Sequence, residues 1–205
     1  MPSALPSPSS ILSLPQEQQF QVLDTLFEPS PELHAITGPV LASQSFASYA
    51  SLADAVGSQF LALSLSQSLS DRQTLMKILG SHPRLGRPPA QVTEHLSELS
   101  REEQVNLNTS AAEDQVERLS LLNHEYENKF PGLRFVTFVN GRNRDLIMEE
   151  MRQRIDRGDQ SREIEENIQV SCSCRITIRI LISGPQAMCD IAKDRAKKLQ
   201  QPANI

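Results

Sequence analysis

The chain has 205 residues, a length that suits one domain, and with aromatics at 4% and no Trp its core must be built mainly from Leu, Ile, Val and Ala. Its net charge of −5 is unevenly placed: no Lys or Arg precedes Arg72, whereas Glu17, Asp24, Glu28, Glu32 and Asp54 all precede Asp71. An acidic first third, followed by a remainder in which 20 acids (25 − 5) balance 20 bases, argues against nucleic-acid binding, and with no stretch of 18 apolar residues no membrane span is expected.

Residues 1–14 are rich in Pro and Ser and are expected to form a disordered tail, with no basic region of the secretory type. The domain is expected over 15–200. Pro15 opens a helix whose Phe20, Leu23 and Phe27 share a face. Ser30-Pro31 reads as a cap and first position of a short helix carrying Leu33 and Ile36, which Gly38-Pro39 should end. Leu52, Val56, Phe60 and Leu63 form the next stripe, and a helix from about Asp71 carries Leu75, Ile78 and Leu79 up to Gly80. The stretch Ser81-His82-Pro83-Arg84-Leu85-Gly86-Arg87-Pro88-Pro89 is a loop stiffened by three prolines.

From Ser100 a long helical pattern runs to Phe130, with Val116, Leu119, Leu122, Tyr126 and Phe130 on one face. Pro131-Gly132 ends it, and Phe135 to Val139 is an apolar segment of irregular or extended character. Leu146, Ile147, Met151 and Ile155 mark a further helix, and Met188, Ile191, Ala192 and Leu199 a last one from about Pro185. Between them Ile176-Thr177-Ile178-Arg179-Ile180-Leu181-Ile182 alternates with period two, as a strand does. Cys172, Cys174 and Cys189 make a poor disulfide framework and point to a reducing compartment.

Three places carry residues able to do chemistry. His82-Pro83 sits in the stiff loop, where a histidine is either aimed at a ligand for proton transfer or simply lies at the surface beside a tight turn. Ser100, Glu103 and Gln104 share one helix face at i, i+3 and i+4; they suit a small polar ligand, and equally a capping box. The segment from Phe135 to Arg142 offers backbone groups to a cyclic ureide, or is a buried connector. No metal site is expected, because His34, His82, His95 and His124 lack paired ligand spacing and Cys172-x-Cys174 is not Cys-x-x-Cys. No nucleotide-binding glycine motif is present.

Taken in order, these pieces resemble one family. They are Leu26-Phe27-Glu28-Pro29-Ser30-Pro31, His82-Pro83-x-Leu85-Gly86, Ser100-x-x-Glu103-Gln104 and Leu122-Asn123-x-x-Tyr126-x-x-Lys129-Phe130. Phe135-Val136 with Gly141-Arg142, and Ile191-Ala192-Lys193-Asp194-Arg195, complete the set. Over about residues 15–168 and again 185–199 the chain resembles the OHCU decarboxylases (2-oxo-4-hydroxy-4-carboxy-5-ureidoimidazoline decarboxylases), in a fungal-like form. The resemblance implies an all-α, single-domain multi-helix bundle, a homodimer, and cofactor-free decarboxylation of the ureidoimidazoline acid to (S)-allantoin in urate catabolism, in a peroxisomal or cytoplasmic setting. Carried over by position, it makes His82, Glu103 and Arg195 catalytic, and assigns substrate binding to Pro83, Ser100, Gln104, Phe135, Val136, Thr137, Phe138 and Val139.

The chain departs from the family pattern at residues 170–184, an atypical strand-like insertion, and at Phe130-Pro131-Gly132-Leu133, where many members have Phe-Gly-Phe. The insertion gives weight to an inactive paralogue of the decarboxylase, and the balanced charge, apolar stripes and tail also allow a non-enzymatic helical interaction module.

Overall fold

Serine begins three of the first four helices in the computed structural model, which describes residues 5–86, 113–137, 142–168 and 187–200. Helix α1 spans Gln16–Leu26 and α2 Pro31–Ser43, the latter capped by Ser30, whose side chain accepts from the Leu33 amide at 3.2 Å. Helix α3 (Tyr49–Leu65) opens with a reciprocal capping box between Ser48 and Ser51, and α4 (Leu69–Gly80) with Ser68. Each cap satisfies an amide that the first helical turn leaves without a partner, a contribution of about 1 kcal/mol. Then follow α5 (Glu113–Lys129), α6 (Arg144–Arg157), α7 (Gln160–Ile168) and α8 (Ala187–Gln200). Asn143 caps α6, and Gly158, in the left-handed region at φ 62°, ends it. Among the described residues all regular structure is helical, as expected; the strand-like insertion at 170–184 lies outside them.

Helix α3 lies at the centre of the bundle, against α2, α4, α7 and α8, while α8 also covers α1. Its predicted stripe is the core: Leu52, Val56 and Phe60 are buried, and Phe60 meets Phe27 of the α1 end edge-on at 6.2 Å. Helices α5 and α6 pack on each other as a second unit. There Leu119, Leu122, Tyr126 and Phe130 face inward with Ile147, Met151 and Ile155. Leu146 was expected inward, yet it is 54% exposed, because the buried face of α6 instead includes Met148 and Arg144.

Two expectations fail for instructive reasons. Helix α2 runs straight through Gly38-Pro39 to Ser43. Proline at that point removes one backbone hydrogen bond, but Pro39 and Ala35, whose carbonyl loses its donor, both lie on the exposed face. Water can serve that carbonyl while Leu33, Thr37 and Leu41 stay packed inside. The second concerns the disordered tail assigned to 1–14. From Leu5 onward the chain is docked, with a 3₁₀ turn at Pro8–Ser13 and Ile11 fully buried. Gln19, itself buried, donates to the Ile11 and Leu14 carbonyls at 2.9 and 3.2 Å, and the Tyr49 hydroxyl donates to Pro6 O at 2.7 Å. One apolar side chain and these three polar contacts hold the segment that its Pro/Ser composition marks as unstructured.

Candidate functional site

The α4 helix delivers the His82 loop to the α5 unit, and glycine makes the approach possible. A Cβ on Gly80 would sit 2.8 Å from Gly132 O, so the end of α4 rests directly on the turn after α5. His82 follows two residues later, half-buried, with its Nδ1 screened from solvent. Gly86 has φ +74°, and a Cβ there would meet the Leu119 side chain at 2.4 Å, so this end of the loop also lies flat on α5.

Polar contacts lock the loop in that seat. Asn123 of α5 donates to Leu85 O at 3.0 Å. Arg84 Nε donates to Glu127 Oε1 at 2.5 Å, with Nη2 of the same guanidinium on Oε2, a two-point pairing. Arg134 also reaches Glu127, Nη1 to Oε2, at 2.5 Å. Glu127 therefore ties the His82-Pro83 loop to the segment that begins at Leu133.

That segment, residues 133–137, is irregular and mostly buried, and side chains from two helices hold its backbone. Arg154 of α6 donates to Val136 O at 3.1 Å and lies over the Phe135 ring, 4.7 Å from its centre. Asn167 of α7 donates to Arg134 O at 3.4 Å. Beneath them lies a buried charged cluster. Glu163, fully buried, accepts from the Tyr126 hydroxyl, from Arg154 Nε and Nη2, and from Arg157 at 3.0 Å. Burial and the neighbouring Glu163 carboxylate push the Tyr126 hydroxyl far above its ordinary value, so it stays protonated as a donor.

A second clamp closes the far end of the segment. Thr137 Oγ1 donates to Glu150 at 3.2 Å and accepts from Arg142 Nη1 at 3.1 Å, while Arg142 Nη2 donates to the same carboxylate at 2.8 Å. Thr137 and Arg142 are thus held side by side.

Of the expected site residues, His82 and Pro83 lie on the loop seated on α5, and Phe135, Val136 and Thr137 on the 133–137 segment, the two being tied through Glu127. Ser100, Glu103, Gln104, Phe138 and Val139 lie outside the described residues. Arg195 is fully buried on α8; its Nη1 donates to Leu26 O and Phe27 O at 3.2 and 2.8 Å, and Nη2 to Glu28 Oε1 at 3.1 Å. Both hydrogens on Nη1 are thereby used. These contacts of Arg195 pin α8 to the end of α1 at the Leu26-Phe27-Glu28 motif.

Sequence reading missed Glu127, Glu150, Arg154 and Glu163, because apart from the i, i+4 pair Glu150–Arg154 their partners lie across gaps that no short spacing records. A groove of about 510 Å³ between α5 and α6, lined by Arg118, Leu122, Met148 and Arg152 among others, contains none of the expected site residues. Among the described residues no group of three or more metal-ligand side chains is present, and no helix is long and apolar enough to cross a membrane. Cys189 is buried, which pushes its thiol up to about 12 and leaves it unreactive.

The family model described as OHCU decarboxylase matches residues 12–177. Comparison with curated proteins finds no match. A solved structure described as "Crystal structure of (S)-allantoin synthase" is similar with a TM-score of 0.56 and 17% identity, covering 95% of this chain and 54% of that one. The chain therefore spans about half the length of that protein, and at this identity the likeness speaks for the fold.

Proposed function

The chain belongs to the OHCU decarboxylase family, and on that premise we propose that it is a carboxy-lyase converting 2-oxo-4-hydroxy-4-carboxy-5-ureidoimidazoline to (S)-allantoin and carbon dioxide in urate breakdown. Loss of carbon dioxide leaves a carbanion beside a ring carbonyl. That carbonyl takes the charge as an enolate, so the reaction needs no metal or pyridoxal sink. The protein must orient the leaving carboxylate, stabilise the enolate and deliver one proton to one face.

The observation that carries this reading is the joint anchoring of the His82 loop and the 133–137 segment through Glu127, Asn123 and the Gly80–Gly132 contact. It supports a histidine loop and a run of backbone held in one frame, which proton delivery to a held cyclic ureide requires. In this reading His82 supplies the proton. Pro83, Ser100 and Gln104 line the substrate, together with the backbone of Phe135, Val136, Thr137, Phe138 and Val139. Glu103 orients either the substrate hydroxyl or His82. Arg195 completes the catalytic set and pairs with an anionic oxygen of the substrate. A homodimer belongs to the same reading.

The test is a coupled assay: substrate made in situ from urate by urate oxidase and hydroxyisourate hydrolase, with (S)-allantoin followed by circular dichroism. The protein accelerates an enantioselective signal, and His82→Asn lowers the rate by about 10²–10⁴, the usual share of acid–base catalysis, with an unchanged melting temperature. A folded wild type without acceleration refutes the activity and leaves the non-enzymatic or inactive readings; normal turnover in the variant refutes the role of His82.

A further inference from the structure

Buried cations in proteins are paired, because a charge taken out of water without a counter-charge is costly. The charged network described above obeys that rule: Arg154 and Arg157 share Glu163 and Glu166. Arg144 does not. It is only 8% exposed, yet among the described residues neither Nη1 nor Nη2 has a hydrogen-bond partner, and no carboxylate lies within ion-pair distance.

Its place in the fold is informative. Arg144 is the first residue of α6, a helix of 14 residues, directly after the cap Asn143. It lies on the buried face with Ile147 and Met148. Helical side chains lean toward the N-terminus, so a long side chain at the first position extends past the end of its own helix. There it adds a full charge to the partial positive charge of the helix dipole. Two residues earlier, Arg142 is bound to Thr137 and Glu150, so the chain around this end is held and Arg144 is presented from a fixed frame. Burial without a counter-charge also holds the Arg144 guanidinium below its ordinary value, although an arginine remains charged at neutral pH.

We infer that Arg144, with the N-terminus of α6, forms a binding site for a small oxyanion of the carboxylate or phosphate kind. The guanidinium supplies the two parallel donors that such a group accepts, and the first turn of α6 supplies the dipole. Screened from solvent, the site selects a compact anion that sheds its water in exchange for both donors. The carboxylate is either the one carried by the enzyme's own substrate or that of a separate ligand.

The probes are sodium acetate and inorganic phosphate, titrated into the full-length chain at constant ionic strength. Melting temperature and titration calorimetry are the readouts. Wild type shows one saturable site, with the melting temperature raised by roughly 3–6 °C at ten times Kd. Arg144→Met loses the response without losing stability in anion-free buffer, since it also removes an uncompensated buried charge. Arg144→Lys keeps the charge but not the fork, and binds roughly ten- to a hundredfold more weakly. This second variant keeps the test decisive if the methionine variant fails to fold. No saturable response in wild type, or equal responses in wild type and Arg144→Lys, overturns the site. The source of the carboxylate is then read from the coupled assay: acetate raising KM alone places the substrate's own carboxylate at Arg144, and acetate without effect on KM assigns the site to a separate anion.

Discussion

Replacing Glu163 by Gln preserves its shape and removes its charge at the point where α5, α6 and α7 meet. The carboxylate is fully buried and serves the Tyr126 hydroxyl, two nitrogens of Arg154 and one of Arg157. Arg157 keeps Glu166 as a partner at 2.7 Å, so its charge remains compensated. Arg154, with a side chain 5% exposed, keeps as counter-charges only Glu150 at 3.2 Å and Glu166 at a longer 3.4 Å. Breaking a buried pair from one side costs about 3–5 kcal/mol, because the other charge stays behind. For a chain of this size each kcal/mol moves the melting temperature by about 2–4 °C, so a fall of roughly 6–20 °C is expected. Thermal unfolding followed by far-ultraviolet circular dichroism measures it. The double variant Arg154→Met with Glu163→Gln removes both charges and should melt above Glu163→Gln alone. A single variant within about 2 °C of wild type, or a double variant whose loss is the sum of the two single losses, refutes the account of the cluster.

Three further substitutions test other parts of the argument. Gly80→Ala places a Cβ 2.8 Å from Gly132 O; overpacking of this kind costs about 1–3 kcal/mol, whereas helix propensity alone favours alanine by about 1 kcal/mol, so a higher melting temperature would contradict the close approach. Ile11→Ala should cost about 2–5 kcal/mol as a core truncation, and a melting temperature equal to wild type would return residues 5–14 to the status of a loose tail. Burial pulls the Glu166 carboxyl upward, but hydrogen bonds from Arg157 and the charges of Arg154 and Arg157 outweigh it, leaving its value below the ordinary 4.5. A depressed carboxylate contributes stability above its unfolded value and loses it as pH falls through the folded one. The stability gap between wild type and Glu166→Gln should therefore be widest at neutral pH and shrink below about pH 4.5; a gap constant down to pH 3 would show that Glu166 contributes nothing through its charge.

Much of the bundle was legible from residue order. A helix face is a local matter, so the stripes Leu52-Val56-Phe60 and Leu119-Leu122-Tyr126-Phe130 announced their helices, and Ser30-Pro31 announced the start of α2. The ordered set of short motifs also pointed to the family that the comparison over 12–177 bears out. Local signals failed where a distant partner outweighed them. Gly38-Pro39 reads as a stop, yet the core contacts of Leu33, Thr37 and Leu41 carry α2 past it. The Pro/Ser composition of the first residues reads as a tail, yet Ile11 and Gln19 dock it.

The candidate site divides along the same line. His82 and the 135–139 segment stood out in the sequence because stiff loops and irregular apolar segments leave local marks. The tie between the His82 loop and residues 133–137 did not, since it depends on Glu127 holding Arg84 and Arg134, residues 43 and 7 positions away from it. The sequence alone thus determined where helices begin, which of their faces turn inward and which residues are chemically able. The tertiary structure alone decided which charge meets which, because periodicity specifies a direction from one helix axis while a buried ion pair requires two such directions to converge. That is why the contacts of Arg195 with the end of α1 are seen only in the structure, and why Arg144, unmarked in the sequence, emerges as a buried cation without a partner among the described residues.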